Sequence, residues 1–270
     1  MQALAGLLVQ QAAEKPVLLV FEDLHWIDPT SQELLDTQLD QITDQPIMIL
    51  ATARPTFEYG FGGHPIVTKF ALNRLGKDQI GSIVAKLTDG KALDEIMVII
   101  AQRTDGVPLF VEELTKTILE SGALKDDGER YVLNGTLSAI AIPTTLHDSL
   151  MARLDRLQPI KEVAQTAACI GREFSHGLLA QISPLTDAEL SGAMDGLIDA
   201  ELIYRRGLPP EASYLFKHAL VRDAAYESLL KENRRVVHTR ILSALETDAD
   251  IAPEVLATHA EAANLTEIKI

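Results

Sequence analysis

Five consecutive apolar residues, Val17 to Phe21, are followed at once by two carboxylates, Glu22 and Asp23. Because the run does not alternate between apolar and polar residues, it predicts a strand that is covered on both faces, as in the parallel sheet of an α/β protein. Open sheets of that kind bind their ligands at the carboxyl ends of their strands. The two acids stand at that end, so the segment predicts a site as well as a strand.

Paired carboxylates at the end of a buried strand can hold Mg²⁺ beside the phosphates of a nucleotide and polarise a water molecule. Many strands simply stop at an acid, so a solvated strand end is the alternative interpretation. The residues that follow, Leu-His-Trp-Ile-Asp over 24–28, favour the site over that alternative. We interpret His25 and Trp26 as scaffold residues around the strand end.

The first 75 residues follow the order of an α/β fold. The predicted elements are a helix over 1–15, the first strand, a helix from Pro29, a strand over 47–53, a Gly-rich loop over 57–65 and a third strand over 66–72. The second strand is followed directly by Arg54. A charged residue there would lie at the same edge of the sheet as Glu22 and Asp23.

After residue 75 the pattern becomes helical. The predicted helices span 77–88, 92–104, 108–121, 145–157, 159–170, 174–182, 186–200, 218–231, 232–247 and 252–265. A hairpin is predicted over 123–134, around Asp127-Gly128, and two short strands over 202–206 and 213–216. Helices followed by a short hairpin are typical of a winged-helix domain.

Composition excludes several classes of function. The formal net charge of −15 argues against affinity of the whole surface for nucleic acid or anionic membrane. No apolar stretch approaches the ~18 residues of a membrane span, and the first residues lack the order of a signal peptide. The single cysteine, Cys169, cannot form an internal disulfide. We therefore expect a cytoplasmic protein without a membrane partner.

Four segments carry a resemblance to a known family. In chain order they are Glu-Asp-Leu-His-Trp-Ile-Asp (22–28), Ala-Thr-Ala-Arg-Pro (51–55), Gly-Val-Pro-Leu-Phe-Val-Glu-Glu-Leu (106–114) and Phe-Lys-His-Ala-Leu-Val-Arg-Asp-Ala-Ala-Tyr (216–226). They resemble the Walker B motif, the sensor strand, the Gly-x-Pro motif and the end of the winged-helix domain in the signal-transduction ATPases with numerous domains. Within this AAA-type (Orc1-like) group, the chain is most similar to the module found beside class III adenylate or guanylate cyclase and LuxR-type domains.

The resemblance assigns the chemistry of the site to the two strand-end acids. It implies that Glu22 and Asp23 hold Mg²⁺, with Glu22 as the metal contact and Asp23 as the group that activates water. The family more often has Asp in the first of these positions. ATP or ADP and Mg²⁺ are accordingly the expected ligands.

The resemblance also implies three nucleotide contacts. Arg54 would reach the γ-phosphate, and its pairing with a carboxylate such as Glu22 is the alternative. Pro108 would pack on the adenine, although a helix start explains Gly-Val-Pro equally well. His218 would contact the β-phosphate at a helix start, in a Lys-His-Ala context where related ATPases have Met-His-Asp. A packed or surface histidine is the alternative for His218.

The phosphate-binding loop Gly-x-x-x-x-Gly-Lys-Ser/Thr does not occur in this sequence. In the family the loop precedes Walker B, so we expect an incomplete P-loop sheet and an internal piece of a larger regulator. The expected domains are a partial nucleotide-binding core over 1–75, a helical lid with a hairpin over 76–141, a winged-helix domain over 142–217 and a helical linker into tetratricopeptide-like repeats over 218–270.

The leading hypothesis is therefore an ATP/ADP switch module whose partners are the other domains of its parent, with ATP hydrolysis in the intact parent and impaired binding in this segment. The alternative is a DNA-binding or scaffolding winged helix, since 205–240 carries eight Lys or Arg against four acids. A solvated helix face or an interdomain contact explains that excess equally well. Cyclase activity would belong to another segment of the parent.

Overall fold

The computed structural model describes residues 2–42, 44–57, 64–128, 130–134, 142–246 and 251–264. The chain divides into two compact units, Met1–Asn73 and Arg74–Ile270. Helices dominate and the strands form small sheets, so the fold is mixed α/β. Within the described ranges, no helix is both long and apolar enough to cross a membrane.

The first unit contains two parallel strands. In chain order its elements are α1 (Gln2–Glu14), β1 (Val17–Phe21), a 3₁₀ turn (Leu24–Trp26), α2 (Pro29–Ile42) and β2 (Ile47–Ala51). The strands pair in register, with Val17 opposite Ile47 and Phe21 opposite Ala51. The strand predicted from the apolar run is confirmed, and the one predicted over 47–53 ends at Ala51.

The predicted burial of both sheet faces is wrong. Side chains alternate along both strands, and those on one face are exposed by 48 to 62%: Leu18, Val20, Met48 and Leu50. The helix α1 packs on β1 and on α2. Within the described part of this unit no helix covers the exposed face, so the apolar run is half-buried on one side and exposed on the other.

The predicted third strand over 66–72 does not form. The segment pairs with no strand among the described residues, and Phe70 and Leu72 are 83% and 95% exposed. A strand needs a neighbour for its backbone hydrogen bonds, and β1 and β2 pair only with each other within that part of the chain. Most of the predicted Gly-rich loop, residues 58–63, lies outside the described residues.

The second unit is mainly helical. Its elements are α3 (Lys77–Leu87), α4 (Asp94–Thr104), α5 (Pro108–Glu120), β3 (Leu124–Asp126), β4 (Tyr131–Leu133), α6 (Leu146–Arg156), α7 (Lys161–Ile170), β5 (Glu173–Ser175), α8 (His176–Ile182), α9 (Asp187–Asp199), β6 (Ile203–Arg206), β7 (Ser213–Phe216), α10 (Ala219–Glu227), α11 (Lys231–Leu245) and α12 (Pro253–Ala263). These helices and the β3–β4 hairpin confirm the predicted elements to within a few residues.

One strand was missed. Residues 173–175 form β5, where the sequence predicted the start of a helix at 174. The helix α8 starts after Ser175, whose hydroxyl accepts a hydrogen bond from the Leu178 N–H. β5 pairs antiparallel with β7, which also pairs with β6, giving the sheet order β5-β7-β6.

Separate apolar clusters stabilise the two halves of this unit. One contains Ile100 and Leu114 and joins α3, α4 and α5. The other contains Leu154, Leu197 and Phe216 and joins the β5-β7-β6 sheet to α6, α7, α9 and α10. The side chains of Leu154, Leu197 and Phe216 are fully buried, so this second cluster holds the last residue of β7 in the interior.

Candidate functional site

The carboxylate pair lies where β1 ends. Asp23 has left-handed backbone angles (φ 55, ψ 43) and turns the chain into the 3₁₀ segment. Its N–H donates to Thr52 Oγ1 at 3.0 Å, and the Leu24 N–H donates to the Thr52 carbonyl at 2.7 Å. Because Thr52 follows β2 directly, these bonds tie the two strand ends together. Glu22 and Asp23 are both exposed at this edge.

The residues after the acids are held by the same turn. Trp26 is 74% exposed, and the guanidinium of Arg54 lies over its ring at 5.6 Å from the centroid. Asp28 Oδ1 accepts hydrogen bonds from the N–H groups of Thr30 and Ser31 at the start of α2. The Ser31 hydrogen bonds lower the pKa of Asp28. Asp28 therefore acts as a helix cap.

His25 has an environment that the sequence interpretation did not anticipate. Its side chain is only 10% exposed, and its Nδ1 lies 3.9 Å from Asp23 Oδ1, beyond hydrogen-bond distance. Both ring nitrogens are buried without a hydrogen-bond partner among the described residues. A buried polar atom in that state costs free energy. The interpretation of His25 as a scaffold residue stays a prediction, and the two ring nitrogens left unpaired among the described residues are a feature that the sequence did not indicate.

A cavity of about 460 Å³ adjoins this strand end. Most of its lining is apolar and comes from α1, α2 and the strands, and Glu22, Asp23, Asp28 and Ser31 supply the polar part. Among the described residues, no group of three or more His, Cys, Asp or Glu could hold a metal ion. Mg²⁺ in nucleotide sites uses one or two carboxylates together with water and phosphate oxygens. Glu22 and Asp23 supply two carboxylates at this strand end, the number that such sites use.

The Gly-x-Pro segment is a tight turn in the second unit. Gly106 has φ +69, and its carbonyl accepts a hydrogen bond from the Leu75 N–H at 2.8 Å. A Cβ at Gly106 would lie 2.4 Å from the Leu75 carbonyl oxygen. Pro108 follows at the first position of α5. The turn therefore requires glycine and places proline where a helix start favours it.

His218 caps the start of α10. Its backbone is extended (φ −132, ψ 142), and among the described residues its side chain makes no capping hydrogen bond. Its Nε2 is buried without a hydrogen-bond partner in that part of the chain. Free N–H groups at a helix start favour a nearby anion. His218 thus offers an unsatisfied nitrogen beside an N-terminal helix turn.

Two ammonium groups and two carboxylates connect Lys217, the residue before His218, to α5. Lys217 Nζ lies 3.0 Å from Glu112 Oε1 and 3.3 Å from Glu201 Oε2. Lys116 pairs with the same two glutamates. Burial opposes ionisation of Glu112, but Lys116 and Lys217 outweigh it and lower its pKa to about 2. We call these four residues the ionic cluster.

The structure brings together some of the predicted site residues. Glu22, Asp23 and Arg54 share one edge of the β1–β2 sheet in the first unit. Pro108 begins the helix whose next turn holds Glu112, and Glu112 contacts the neighbour of His218. Those two groups belong to different units of the chain. The ionic cluster was missed, although Lys217 stands inside a quoted motif.

Comparison with known proteins adds one relative. No model of a known protein family matches this sequence. The chain is 29% identical over 260 residues to an uncharacterized protein of Rhizobium meliloti strain 1021. The match covers 93% of this chain and 25% of the relative. The chain thus spans a quarter of the length of the relative that it matches.

Proposed function

We propose that this segment is the ATP/ADP-dependent switch module of a multidomain signalling protein, of the kind found in the signal-transduction ATPases with numerous domains. The observation that carries the proposal is the in-register parallel pairing of β1 and β2. It puts Asp23 and Arg54 at one sheet edge, where open α/β sheets bind ligands. ATP hydrolysis by the intact parent is part of the proposal.

In this function Glu22 and Asp23 would hold Mg²⁺, and Mg²⁺ when bound would neutralise phosphate charge. The Asp23 carboxylate would accept a proton from an attacking water. The guanidinium of Arg54 would donate hydrogen bonds to the terminal phosphate. The Arg54–Trp26 contact supports this role because it leaves the guanidinium at the strand end.

The second unit supports the regulatory half of the proposal. The order α7-β5-α8-α9-β6-β7, with β7 in the centre of its sheet, is the order expected of a winged helix. His218 follows β7 and carries a buried, unsatisfied Nε2. A phosphate oxygen would satisfy a protonated nitrogen at this position. We propose that His218 contacts the β-phosphate and that Pro108 packs on the adenine.

Binding by this chain should be weak, because its sequence has no glycine-rich phosphate loop. The test is therefore a chemical-shift titration of the labelled chain with Mg·ADP up to millimolar concentration. We expect shifts at residues 22–28 and 217–219, whereas a γ-phosphate contact of Arg54 requires ATP. ADP with a chelator should keep the shifts at 217–219 and lose those at Glu22 and Asp23.

Two variants sharpen this experiment. His218→Gln should abolish the shifts around α10 and leave those around β1, whereas Asp23→Asn should do the reverse. His147, an exposed histidine of α6, provides the control His147→Gln, which should change neither set. Absence of shifts at both segments with saturating Mg·ADP would overturn the proposal.

The DNA-binding alternative is not proposed. Basic residues of the 205–240 segment are engaged within the chain, as Arg205 with Asp195 at 2.8 Å and Arg222 with Asp223 at 3.0 Å. Lys217 belongs to the ionic cluster. Such internal pairs leave less positive charge for phosphate contacts. A gel shift that persists at physiological salt would restore the alternative.

A further inference from the structure

A chain of polar side chains connects the last three helices. His259 of α12 and His238 of α11 face each other with 2.9 Å between their Nδ1 atoms. His238 Nε2 lies 3.1 Å from the hydroxyl of Tyr226 on α10. The two histidines are only 5% and 4% exposed. Polar contacts therefore run from α12 to α10 through the interior.

The contact between the imidazoles depends on their protonation. Two facing ring nitrogens form a hydrogen bond only if one carries a proton and the other offers a lone pair. A hydroxyl both donates and accepts, so Tyr226 completes the chain whichever way the shared proton lies. If both imidazoles were protonated, two N–H groups would face each other at 2.9 Å, and the hydrogen bond would be lost.

The surroundings favour the uncharged pair. Guanidinium groups of Arg222 and Arg234 lie 5.0 and 4.7 Å from the centre of the Tyr226 ring. Asp223 pairs with Arg222 at 3.0 Å, and burial raises the pKa of the Cys169 thiol of α7 to about 12. α8 contributes the apolar Leu178 and Ile182 to the adjoining cluster.

These surroundings lower the pKa values of both histidines. Burial, then the proximity of His259, Arg222 and Arg234, lowers the pKa of His238 to about 4. Burial also lowers the pKa of His259. Both imidazoles are thus neutral at neutral pH.

We propose that the His238–His259 pair is a proton-sensitive clasp that fastens α12 to α11 and, through Tyr226, to α10. Protonation of both imidazoles opens the clasp and releases α12. The other fully buried side chains of α12 are small, namely Ala260 and Ala263, and Leu256 is partly buried against the apolar cluster that contains Ile241 of α11. The histidine contact is thus the buried polar part of the attachment. The clasp itself does not depend on nucleotide.

One consequence does rest on the proposed function. The helix α10 receives the Tyr226 end of the clasp and has His218 as its N-terminal cap. Because one helix carries both, the docking of α12 would bias the position of His218 against a phosphate. In the intact protein, a change in the helices near α12 would reach the nucleotide by this path.

Nitrogen-detected spectra of the full chain test the clasp without nucleotide. At neutral pH we expect one protonated and one bare Nδ1 across the pair. Between about pH 7 and pH 4, amide exchange over 256–263, corrected for intrinsic rates, should accelerate at least about tenfold. Exchange over 163–169 of α7 should stay unchanged. Equal loss of protection in both segments would overturn the proposal.

The variant His259→Phe provides the matched comparison. It keeps an aromatic ring and removes the second imidazole, so the acceleration over 256–263 should disappear. His147 of α6 is exposed and lies 3.9 Å from Glu227 at the end of α10, so His147→Phe removes a titratable contact outside the clasp and should behave as the wild type over 256–263. If His259→Phe and the wild type share one pH dependence, the clasp does not exist. Should that variant fail to fold, two bare or two protonated Nδ1 atoms in the wild type at neutral pH would overturn the proposal equally.

Discussion

Lys217 Nζ lies 3.0 Å from Glu112 Oε1, and this ion pair joins the residue before His218 to the helix that begins at Pro108. Two segments that are 105 residues apart in the sequence are thereby held together by charge. The glutamate is shared with Lys116 of its own helix. The pair is partly buried, so its contribution exceeds that of a fully exposed ion pair.

Acid should weaken this connection. The pKa of Glu112 is lowered to about 2 in the folded chain from its ordinary value of 4.5. The unfolded chain therefore binds more protons in that interval, and the contribution of Glu112 is present above about pH 5 and lost as the pH falls toward 2. Glu112→Gln should lower the free energy of unfolding at neutral pH by about 1–2 kcal/mol.

In the same variant the free energy of unfolding should fall less steeply as the pH decreases below about 5. Denaturant unfolding at a series of pH values measures this acid limb of the stability curve. Glu162→Gln, at an exposed position of α7, is the control and should leave that limb unchanged. A Glu112→Gln curve parallel to the wild type through the acid range would show that the carboxylate makes no such contribution.

Another ion pair joins α5 to α6. Because it is buried, its loss should cost more free energy of unfolding than the loss of the Glu112 charge. Glu113 and Arg153 pair with side chains 2% and 3% exposed, and Arg153 also donates to the Ala200 carbonyl. Removing the Glu113 carboxylate leaves the buried Arg153 with the half-exposed Glu120, 3.3 Å from its Nε, as its remaining partner. Glu113→Gln should therefore cost about 3 kcal/mol, the lower end of the range for breaking a buried ion pair. Chemical denaturation measures this.

Two comparisons make the result interpretable. The exposed pair of Glu232 and Arg235, 3.8 Å apart, should lose no more than about 1 kcal/mol in Glu232→Gln. The double variant Glu113→Leu/Arg153→Leu should recover most of the loss, since it leaves no unpaired charge. A double variant less stable than Glu113→Gln would contradict this account.

Substitutions at Gly106 and Gly122 distinguish two effects of adding a Cβ atom, namely backbone strain and a clash with a neighbouring atom. Both have positive φ, +69 and +71, but a Cβ at Gly106 would lie 2.4 Å from the Leu75 carbonyl oxygen, whereas at Gly122 no described atom lies within 4 Å. Gly122→Ala should therefore cost only the backbone strain of about 1–2 kcal/mol. Gly106→Ala should cost clearly more, as measured by thermal unfolding. If the two variants lost the same stability, the backbone at Leu75 would have to move away from the new Cβ at no measurable cost.

Local patterns in the sequence carried most of the element predictions. The apolar run gave β1, and the Gly-Val-Pro turn gave the start of α5 because proline fixes φ and glycine permits the turn. Exposure of the Leu18 face was not predictable, because the run has the unbroken apolar pattern of a strand covered on both faces, while no helix among the described residues covers that face. The strand over 66–72 failed for a related reason, because pairing depends on a partner and not on the segment.

Contacts between distant segments were the least accessible to sequence reasoning. His218 was singled out, but Lys217 was not linked to Glu112, because their pairing depends on how β7 and α5 pack. The His238–His259 contact was missed for the same reason, since neither histidine belongs to a local motif. The αL angles of Asp23 also required coordinates, although Asp and Asn are the side chains that tolerate them.

That backbone conformation allows stability and metal binding to be separated at one position. Asp23 has φ 55, and its turn is held by its own N–H, which donates a hydrogen bond to Thr52 Oγ1 and is kept when the Asp23 side chain is replaced. Asp23→Asn and Asp23→Gly should therefore leave unfolding unchanged or slightly improved, while Asp23→Ala should lose roughly 1 kcal/mol because alanine disfavours αL. The single tryptophan, Trp26, reports unfolding of this unit.

All three variants should lose the Mg²⁺-dependent shifts at Glu22, since each removes the carboxylate. Retention of those shifts in Asp23→Asn would exclude Asp23 as a metal ligand, and an alanine variant as stable as the glycine variant would contradict the strain.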